Sequence, residues 1–531
     1  MTIITDYHQQ TKHSLQAYAK GPETLDWDDQ PSQFRYFEGC TIQPLSKPGK
    51  QREVTWAELT SNTVLPAMEM NIANLSLLLE LSFGLSAWKQ YGPDRWAVRN
   101  NPSSGNLHPT EVYVVNGISD LMPQGVYHYV SHDHHLEQRC SFENVQLEHS
   151  LLIGISSVHW REAWKYGERA YRYCQLDTGH AIAALSYAAA CLGWRVEVLA
   201  QYSDNDVSNL LGLDTPDTFI ANEKETPELI CRLYYTDEAD YFSDEFIEQT
   251  ALLDTLQTAL WQGKAKSLGA YHMFKWPIID KVSFGAQKLR MPEEKWQVPT
   301  AQLLVSNCDV AATSLIRQRR SAQRFIPNMD AISNTAFKRI LSSLSASNQL
   351  PFSAWLWQPA VHICLFVHNV EDLAPGLYCL PRAPEGLSLL QSSLDSDFLW
   401  QSVAEFPALY LLKQGDVRQM AKTLSCHQAI ASDGEFSVAM LAEFKVNIAE
   451  QAWYYRRLFW ECGMLGQVLY MEAEAAKVRG TGIGCFFDDG VHSVLGIKDD
   501  TLQSLYHFTV GHPFEDARIQ SFPAYAHLNA M

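Results

Sequence analysis

The segment RNNPSSGNLHPTEVYVV, residues 99–115, places a run of small polar residues directly before an apolar strand. Ser103 and Ser104 carry hydroxyl groups, Gly105 allows close approach to the backbone, and Asn106 can both donate and accept hydrogen bonds. Because Asn, Pro, Ser and Gly are also the usual turn formers, an ordinary turn is the alternative interpretation. We interpret the segment as a polar loop that binds a ligand and is held in place by the strand behind it.

A lysine and a tyrosine, Lys165 and Tyr166, are adjacent in the charged stretch WREAWKYGER. A lysine can act as a general base when desolvation or cationic neighbours lower its pKa, and Arg161 and Arg169 are close in the sequence. The alternative is the solvated face of an amphipathic helix, which the same residues also fit. The spacing alone leaves both interpretations open.

Bulk properties limit the class of protein. A chain of 531 residues is too long for one core, since single cores stop growing near about 250–300 residues, and two domains are expected. The formal net charge of −19 disfavours nucleic acid and membrane surfaces as partners. The N-terminus lacks the pattern of a signal peptide, and the eleven cysteines are scattered without a CxxC pair. We therefore expect a soluble cytoplasmic protein with no metal site.

The sequence contains an internal repeat. Residues 171–213 align without a gap on residues 455–497, at a constant offset of 284, and ten of the 43 positions are identical. Upstream, LHPTEVYVVNG…GVYHY at 107–129 is similar to WQPAVHICLFVHNV…GLYCL at 357–380. A period this long indicates duplicated domains rather than a solenoid.

Hydrophobic patterns predict the elements of each copy. Apolar residues recur nearly all round the segments 172–192 and 456–477, which predicts central buried helices, and VYVV and HICLFV are typical of buried strands. We expect an α+β fold that occurs twice, in residues 1–270 and 300–531, with a linker over 271–299. Duplicated domains that pair face to face would place a ligand at the seam between them, and a homodimer of the whole chain stays open.

Four motifs together resemble the landmarks of the FMN-dependent nitroreductase superfamily. They are PSSGN at 102–106, RRSAQRF at 319–325, GTGIGCFFDDGVHSVLGI at 480–497 and FTVGHP at 508–513. The stretch WREAWKYGERAYRYCQLDTGHAIAAL at 160–185 is also similar to the azoline dehydrogenase, or SagB-type, branch, whose members oxidise thiazolines and oxazolines in ribosomal peptides. The matches span most of residues 70–515.

The resemblance implies that two copies of the fold pair and that FMN lies between them. The PSSxN loop would come from one copy, and the RRS strand, the glycine-containing GTGIG turn and the end of the last strand from the other. The alternative interpretation is a charge at the protein surface for each of Arg320, Arg99 and Arg518. Gln323 stands where the family usually has a basic residue. The implied FMN contacts are Arg99, Ser103, Ser104, Gly105, Asn106, Arg319, Arg320, Ser321, Gln323, Gly482, Gly484 and Arg518.

The two copies have complementary parts of this motif set. The first has PSSGN but no stretch like RRS, whereas the second has RRSAQRF and FTVGHP. In the second copy the counterpart of PSSGN is SAWLW, with Leu356 at the position of Asn106. We therefore expect one composite FMN site per chain.

The resemblance also implies a reaction. Lys165 and Tyr166 would lie over the flavin and help to remove a proton from an azoline while hydride passes to N5 of FMN. The expected activity is FMN-dependent dehydrogenation of a heterocyclic small molecule or an amino-acid- or peptide-derived substrate. Two alternatives stay open: an NAD(P)H-dependent reductase of nitro compounds or quinones, and a non-catalytic flavin- or partner-binding subunit of a modifying complex.

Two histidine features are interpreted as structural. HDHH at 132–135 follows a predicted hairpin strand without nearby metal-ligand spacing, so we interpret it as an exposed turn. His180 falls inside a predicted buried helix, where a histidine bonded within the core is the simpler interpretation.

Overall fold

The computed structural model describes residues 2–46, 53–61, 63–142, 151–236, 256, 259–292, 296 and 304–529. It has the α+β fold that the hydrophobic patterns predict, with two large antiparallel sheets. The helices are Ile3–Gln10, Trp56–Leu59, Ile72–Phe83, His159–Tyr166, Ala170–Cys191, Asp204–Leu211, Pro277–Gly285, Ala312–Gln318, Asn334–Ser343, Pro384–Ser393, Arg418–Leu424, Ile430–Asp433, Phe444–Glu450, Tyr454–Ala475 and Asp488–Leu495. Among the helices of these residues, none is both long and apolar enough to cross a lipid bilayer.

Each large sheet has seven strands. The N-terminal sheet runs, in spatial order, Thr41–Pro44, His135–Ser141, Gly125–Val130, Thr110–Asn116, Leu151–Ser157, Thr226–Tyr234 and Arg195–Val198. The C-terminal sheet runs Gln401–Val403, Phe406–Gln414, Gly376–Leu380, Val361–Val367, Phe436–Glu443, Leu502–Gly511 and Arg479–Ile483. Apart from the first strand of each list, the two sheets connect their strands in the same order.

Two smaller sheets contain further strands. Phe37–Glu38 pairs with Lys264–Ala265. A three-stranded sheet joins the hairpin Leu85–Tyr91 and Asp94–Arg99 to Gln520–Phe522, close to the C-terminus. The end of the chain therefore packs on the segment that leads into the PSSGN loop.

Two long helices lie at the centre, as predicted, within two residues of the predicted bounds. The first, Ala170–Cys191, and the second, Tyr454–Ala475, are buried along nearly their whole length and pack against each other. At the crossing, a Cβ added to Gly179 would lie 2.1 Å from the Trp460 carbonyl oxygen, and one added to Gly463 would lie 2.1 Å from the Leu176 carbonyl oxygen. Glycine is required on both helices because their backbones touch.

Gly179→Ala is expected to lower the free energy of unfolding by about 2 kcal/mol, because the added methyl group overpacks the crossing. In an unobstructed helix the same change would stabilise by about 1 kcal/mol. Gly490→Ala is the matched control, since its Cβ would meet no backbone atom and would lie 3.1 Å from Leu424 Cδ2 and 3.2 Å from Phe487 Cβ, a much milder contact. Urea unfolding measures both variants, and equal stability changes would contradict the backbone contact.

Ion pairs repeat this reciprocal arrangement. Arg172 on the first long helix donates to Asp488 at 2.8 Å, and Arg456 on the second donates to Asp204 at 2.7 Å. In the internal alignment Arg172 corresponds to Arg456 and Asp204 to Asp488. Equivalent residues thus exchange partners between the two parts of the chain, as in a two-fold symmetric interface.

Two local predictions need correction. The RRS segment is not a strand: it follows the helix Ala312–Gln318, and of its residues Ala322 donates a backbone hydrogen bond to Gly480. GTGIG is not a turn, because residues 480–483 belong to the strand Arg479–Ile483. The linker 271–299 stays a prediction: it contains the helix Pro277–Gly285, and its residues 293–295 and 297–299 lie outside the described residues.

Candidate functional site

The motifs singled out from the sequence meet around one cavity of about 710 Å³. Residues 101–106 form part of its wall, together with the segment 319–323 and the strand end at residues 481–485. Its volume lies within the roughly 300–1,000 Å³ typical of small-molecule and cofactor sites. The basic side chains in the lining belong to Lys89, Arg99, Arg319, Arg320 and Arg479, against three acidic ones, so the cavity favours an anionic ligand.

The PSSGN loop forms a single 3₁₀ turn, Ser104–Asn106, between the strands Asp94–Arg99 and Thr110–Asn116. Gly105 and Asn106 both have a φ of +60°, in the left-handed region. The Asn106 amide donates to the Ala97 carbonyl at 2.9 Å and accepts from His108 Nε2 at 3.1 Å. Asn106 lines the cavity as predicted, but both ends of its amide hold the loop in shape.

The hydroxyl groups of the loop are also engaged within the protein. Ser103 Oγ accepts from the His108 amide at 2.8 Å, and Ser104 Oγ donates to Asp177 at 3.2 Å. The Ser104 amide donates to the same carboxylate at 3.1 Å. Asp177, on the first long helix, therefore anchors the loop from below.

Burial raises the pKa of Asp177 to about 7. Burial, followed by the nearby charge of Asp177, also raises the pKa of Glu162 well above its usual value. Two carboxyl groups with raised pKa values thus lie beneath the loop, an arrangement that occurs often at functional sites. The sequence analysis missed both, although the internal repeat offered a signal, because Asp177 aligns with another acid, Glu461.

Gly105 is the point of closest approach between this loop and the helix His159–Tyr166. A Cβ at this position would lie 2.6 Å from Tyr166 Oη and 3.2 Å from Lys165 Nζ. Gly105→Ala is therefore expected to cost about 2 kcal/mol of stability and to displace Tyr166, because it adds a steric clash to a left-handed φ. Thermal or urea unfolding measures this loss.

Gly92→Ala is the matched control. Gly92 also has a left-handed φ, +56°, but nothing lies within 4 Å of its added Cβ. This variant should lose only about 1 kcal/mol, the conformational part of the effect. The same loss at both glycines would show that contact with Tyr166 contributes nothing.

Arg319 is the first residue after the helix Ala312–Gln318 and reaches the other wall of the cavity. Its buried guanidinium donates from Nε to the Asn100 carbonyl and from Nη2 to the Arg99 carbonyl, each at 3.1 Å. Nη1 is buried and has no hydrogen-bond partner among the described residues. Burial lowers the pKa of Arg319 below its usual value. A buried donor without a partner in a cavity wall fits a bound anion.

The neighbours of Arg319 are held by the backbone or lie at the rim. Arg320 donates from Nη1 to the Arg317 carbonyl at 2.8 Å and from Nη2 to the Ser86 carbonyl at 3.1 Å, and burial lowers its pKa to about 10. Ser321 Oγ lies 2.8 Å from Tyr470 Oη, within hydrogen-bonding distance. Gln323 is exposed and lines the cavity.

The glycines of the C-terminal sheet form the remaining part of the predicted wall. The Gly482 amide donates to Tyr470 Oη at 3.1 Å, and the Gly484 carbonyl accepts from Tyr173 Oη at 3.1 Å. A Cβ at either glycine would collide with a tyrosine ring, so this wall requires glycine. Tyr173 and Tyr470 also line the cavity, and the sequence analysis missed them because buried tyrosines on long helices give no distinct pattern.

Arg99 and Arg518 have different positions. Arg99 is buried in the cavity wall, with a pKa lowered to about 10 by burial, and its Nε has no hydrogen-bond partner among the described residues. Arg518 is exposed, does not line the cavity and binds Asp516 at 2.6 Å. The surface salt bridge given as the alternative describes Arg518 better than a ligand contact.

Lys165 and Tyr166 lie at the C-terminal end of the helix His159–Tyr166. Tyr166 lines the cavity, and Lys165 lies behind Gly105 with its Nζ 5.4 Å from the centre of the Tyr166 ring. Burial, and next the charge of Glu162, raises the pKa of Tyr166 well above its usual value. Tyr166 is therefore protonated at neutral pH and can donate a hydrogen bond into the cavity.

Of the two histidine features, the HDHH turn is more buried than the sequence suggests. In the HDHH turn, His134 is buried and its ring nitrogens lie 2.7 Å from Ser76 Oγ and 2.9 Å from Tyr129 Oη, so this turn is not simply exposed. His180 is buried as interpreted, with Nε2 3.2 Å from Tyr506 Oη, and it also lines the cavity.

A possible ligand set for a metal lies away from this cavity. His132, Asp133 and His527 place ligand atoms within 4.8 Å of one another. Both ring nitrogens of His527 are already in hydrogen bonds, to Trp88 Nε1 and to the His132 carbonyl. The absence of a metal from the active site stays a prediction.

Comparison with known proteins concerns the sequence and the overall fold. A candidate nitroreductase of Methanocaldococcus jannaschii is 24% identical over 157 residues, which are 27% of this chain and 74% of that protein. A crystal structure of a candidate nitroreductase from Anabaena variabilis covers 97% of this chain and 100% of its own, with a TM-score of 0.70 and 22% identity. A chain of the E. coli microcin synthetase McbBCD complex is 20% identical over 37% of this chain and 79% of its own, with a TM-score of only 0.27.

The family comparison concerns the part of the chain that carries the PSSGN loop. Residues 95–221 match the nitroreductase family model, and this range includes Asn106, Lys165, Tyr166 and Asp177. Residues 95–221 are therefore similar to the nitroreductase family, and along nearly its whole length the chain has the fold of the Anabaena variabilis structure.

Proposed function

We propose that this protein is an FMN-dependent oxidoreductase with one flavin site per chain, formed between two diverged copies of one fold. The observation that carries the proposal is the meeting of Arg319 and the PSSGN loop at one cavity, where Arg319 Nη1 lacks a partner among the described residues. Residues 319 and 106 are far apart in the sequence and lie in opposite copies of the internal repeat. A duplicated fold that pairs face to face accounts for this and for the exchanged ion pairs.

The residues present fit a flavin phosphate. No salt bridge joins Arg99, Arg319 or Arg320 to an acidic side chain within the described part of the chain, so their charge is available to an anion. Arg319 would hold the phosphate through Nη1, with Ser321 at the same wall. Glycine at 482 and 484 would let a flat ring system approach the backbone.

The equivalent position in the second copy is filled by side chains. Trp355, Leu356 and Trp357 are all buried where the internal alignment places the counterpart of PSSGN. The Trp355 and Trp357 rings lie 4.7 Å apart, and Trp357 also contacts Trp453. A second polar loop is absent from this place, which supports one site rather than two.

The favoured reaction is dehydrogenation of a heterocyclic, azoline-like or amino-acid- or peptide-derived substrate. FMN, when bound, supplies the hydride acceptor at N5. Lys165 Nζ does not line the cavity but lies next to Gly105, past which its flexible side chain would reach to take the proton that must leave the substrate. Protonated Tyr166 would donate a hydrogen bond that orients the substrate. The buried carboxyl groups of Glu162 and Asp177 would keep the loop and the lysine in place.

The first experiment is to denature the purified full-length protein and to identify and count the chromophore that it releases. One FMN per chain is expected. A colourless protein that does not take up added FMN would exclude the proposal, and two flavins per chain would exclude the single composite site.

A second experiment separates the possible activities. The flavin-loaded protein is mixed with NADPH and, separately, with azoline-containing peptides under air. The proposal expects slow bleaching by NADPH and loss of two hydrogens from the peptide, measured by mass spectrometry. Rapid bleaching by NADPH would instead indicate the nitro- or quinone-reductase alternative.

A further inference from the structure

Two half-buried cysteines lie together in the wall of the cavity. Cys426 follows the helix Arg418–Leu424, Cys485 follows the strand Arg479–Ile483, and their Sγ atoms are 2.7 Å apart. Both residues line the cavity, whereas of the nine other cysteines all but Cys40 are buried. The pair thus combines mutual contact with access from the ligand cavity.

The backbone holds this pair in place. Cys426 and His427 are consecutive non-glycine residues with left-handed φ values of +54° and +59°. Such strain persists only where the surroundings impose it, and it concentrates at functional sites. Gln428 Nε2 donates to the Cys485 carbonyl at 3.1 Å, which ties the two segments together beside the sulfurs.

The surroundings make Cys485 the more reactive thiol. His13 Nδ1 accepts from the Ala19 amide at 2.8 Å, which puts the ring proton on Nε2 and leaves it free to donate to Cys485. The hydrogen bond between the two thiols, followed by His13 and Arg169, lowers the pKa of Cys485 to about 5. The pKa of Cys426 is raised, mainly by its hydrogen bond to Cys485 and by burial.

We propose that Cys426 and Cys485 form a reversible dithiol–disulfide couple that exchanges with low-molecular-weight disulfides entering the cavity. The Cys485 thiolate attacks one sulfur of the small disulfide, so a mixed disulfide forms and one small thiolate leaves. Cys426 loses its proton to that thiolate and attacks Cys485 Sγ; the protein disulfide forms and the second small thiolate leaves. The protein sulfurs lose two electrons and the small disulfide gains two.

This inference does not rest on the proposed flavin chemistry. It gives the cavity wall two covalent states. In the oxidised state, the disulfide would join the segment after Leu424 to the segment after the strand Arg479–Ile483. Flavin and substrate would then bind beside a cross-linked wall in one state and an open wall in the other.

The test exposes the full-length protein to oxidised glutathione, blocks the remaining thiols and maps the peptides by mass spectrometry. The expected result is the loss of two of the eleven free thiols, with a single 426–485 cross-link that dithiothreitol reverses. Cys364 and Cys379 are the internal control, because they are opposite each other in neighbouring strands at an Sγ distance of 4.0 Å but are fully buried. They should stay reduced.

Two variants assign the steps. Cys426→Ser should accumulate a glutathione adduct on Cys485, since the second thiol is missing, whereas Cys485→Ser should leave Cys426 unmodified. In the unchanged protein, iodoacetamide at pH 7 should alkylate Cys485 at least about 10-fold faster than Cys40, whose pKa burial raises to about 11. Eleven free thiols after glutathione treatment, or an adduct on Cys426 in place of Cys485, would overturn the proposal.

Discussion

Lys165→Ala is expected to lower turnover of a verified substrate about 10³-fold while the protein keeps its bound flavin. The proposed role of Lys165 is to accept the substrate proton, and a positioned general base commonly contributes about 10²–10⁴-fold to a rate. Lys165 lies behind Gly105 and is not among the cationic residues that line the cavity, so its removal should leave cofactor affinity within about 2-fold. The measurement is steady-state turnover together with flavin content per chain.

Tyr166→Phe should have a smaller effect on turnover, about 10-fold, because the ring remains and only the hydroxyl donor is lost. The ring packs on Tyr173 with centroids 4.4 Å apart, a contact that phenylalanine retains. Lys413→Ala removes an exposed lysine from the C-terminal sheet and is the control for the loss of a lysine as such. If Lys165→Ala and Tyr166→Phe both turn over at the unchanged rate, the proposed acid–base roles are wrong.

Arg319→Ala is expected to weaken FMN binding by roughly 100-fold, about 3 kcal/mol, because a buried cation that contacts an anion is lost. The substitution also leaves the carbonyl groups of Arg99 and Asn100 without their donors. The melting temperature of the flavin-free protein should therefore decrease as well. The affinity for FMN is measured by fluorescence quenching, and the melting temperature of the same variant is measured with it.

Two further arginine variants separate charge from structure. Arg319→Lys keeps the positive charge but lacks the fork that reaches two carbonyl groups and an anion at once, so it should recover only part of the affinity. Arg518→Ala removes an arginine that the resemblance also implied as a flavin contact, but which is exposed and bound to Asp516. Its affinity for FMN should change less than 2-fold. A loss at Arg518 equal to that at Arg319 would contradict the site described above.

Most of the element pattern could be predicted from the sequence. The segments 172–192 and 456–477 are the helices Ala170–Cys191 and Tyr454–Ala475 because apolar side chains surround a buried helix and leave a periodic signal. The RRS segment was harder, since Arg319 and Ser321 alternate as in a strand, yet the segment makes only isolated backbone contacts, with Ala322 donating to Gly480 and Arg324 accepting from Phe514. The pairing of Gln520–Phe522 with Leu85–Tyr91 depends on contacts across the chain that local patterns do not contain.

The site was predictable where a residue type is unusual for its position. Small polar residues before a buried strand drew attention to Ser104, the resemblance of RRSAQRF to a family motif drew attention to Arg319, and both residues line the cavity. Asp177 and Cys485 were missed for the opposite reason: one acid or one cysteine in an apolar stretch looks unremarkable until its partner is known. The partners, Ser104 and Cys426, are 73 and 59 residues away.

The contacts from Arg319 to the carbonyl groups of Arg99 and Asn100 have a thermodynamic consequence. A ligand bound at Arg319 would contact a place where residues distant in the sequence meet, and it would bind only to their native arrangement. Binding would therefore raise the free energy of unfolding, by about 2.7 kcal/mol at a ligand concentration 100 times the dissociation constant. If the proposed flavin binds there, the protein without it would lack this contribution to its free energy of unfolding.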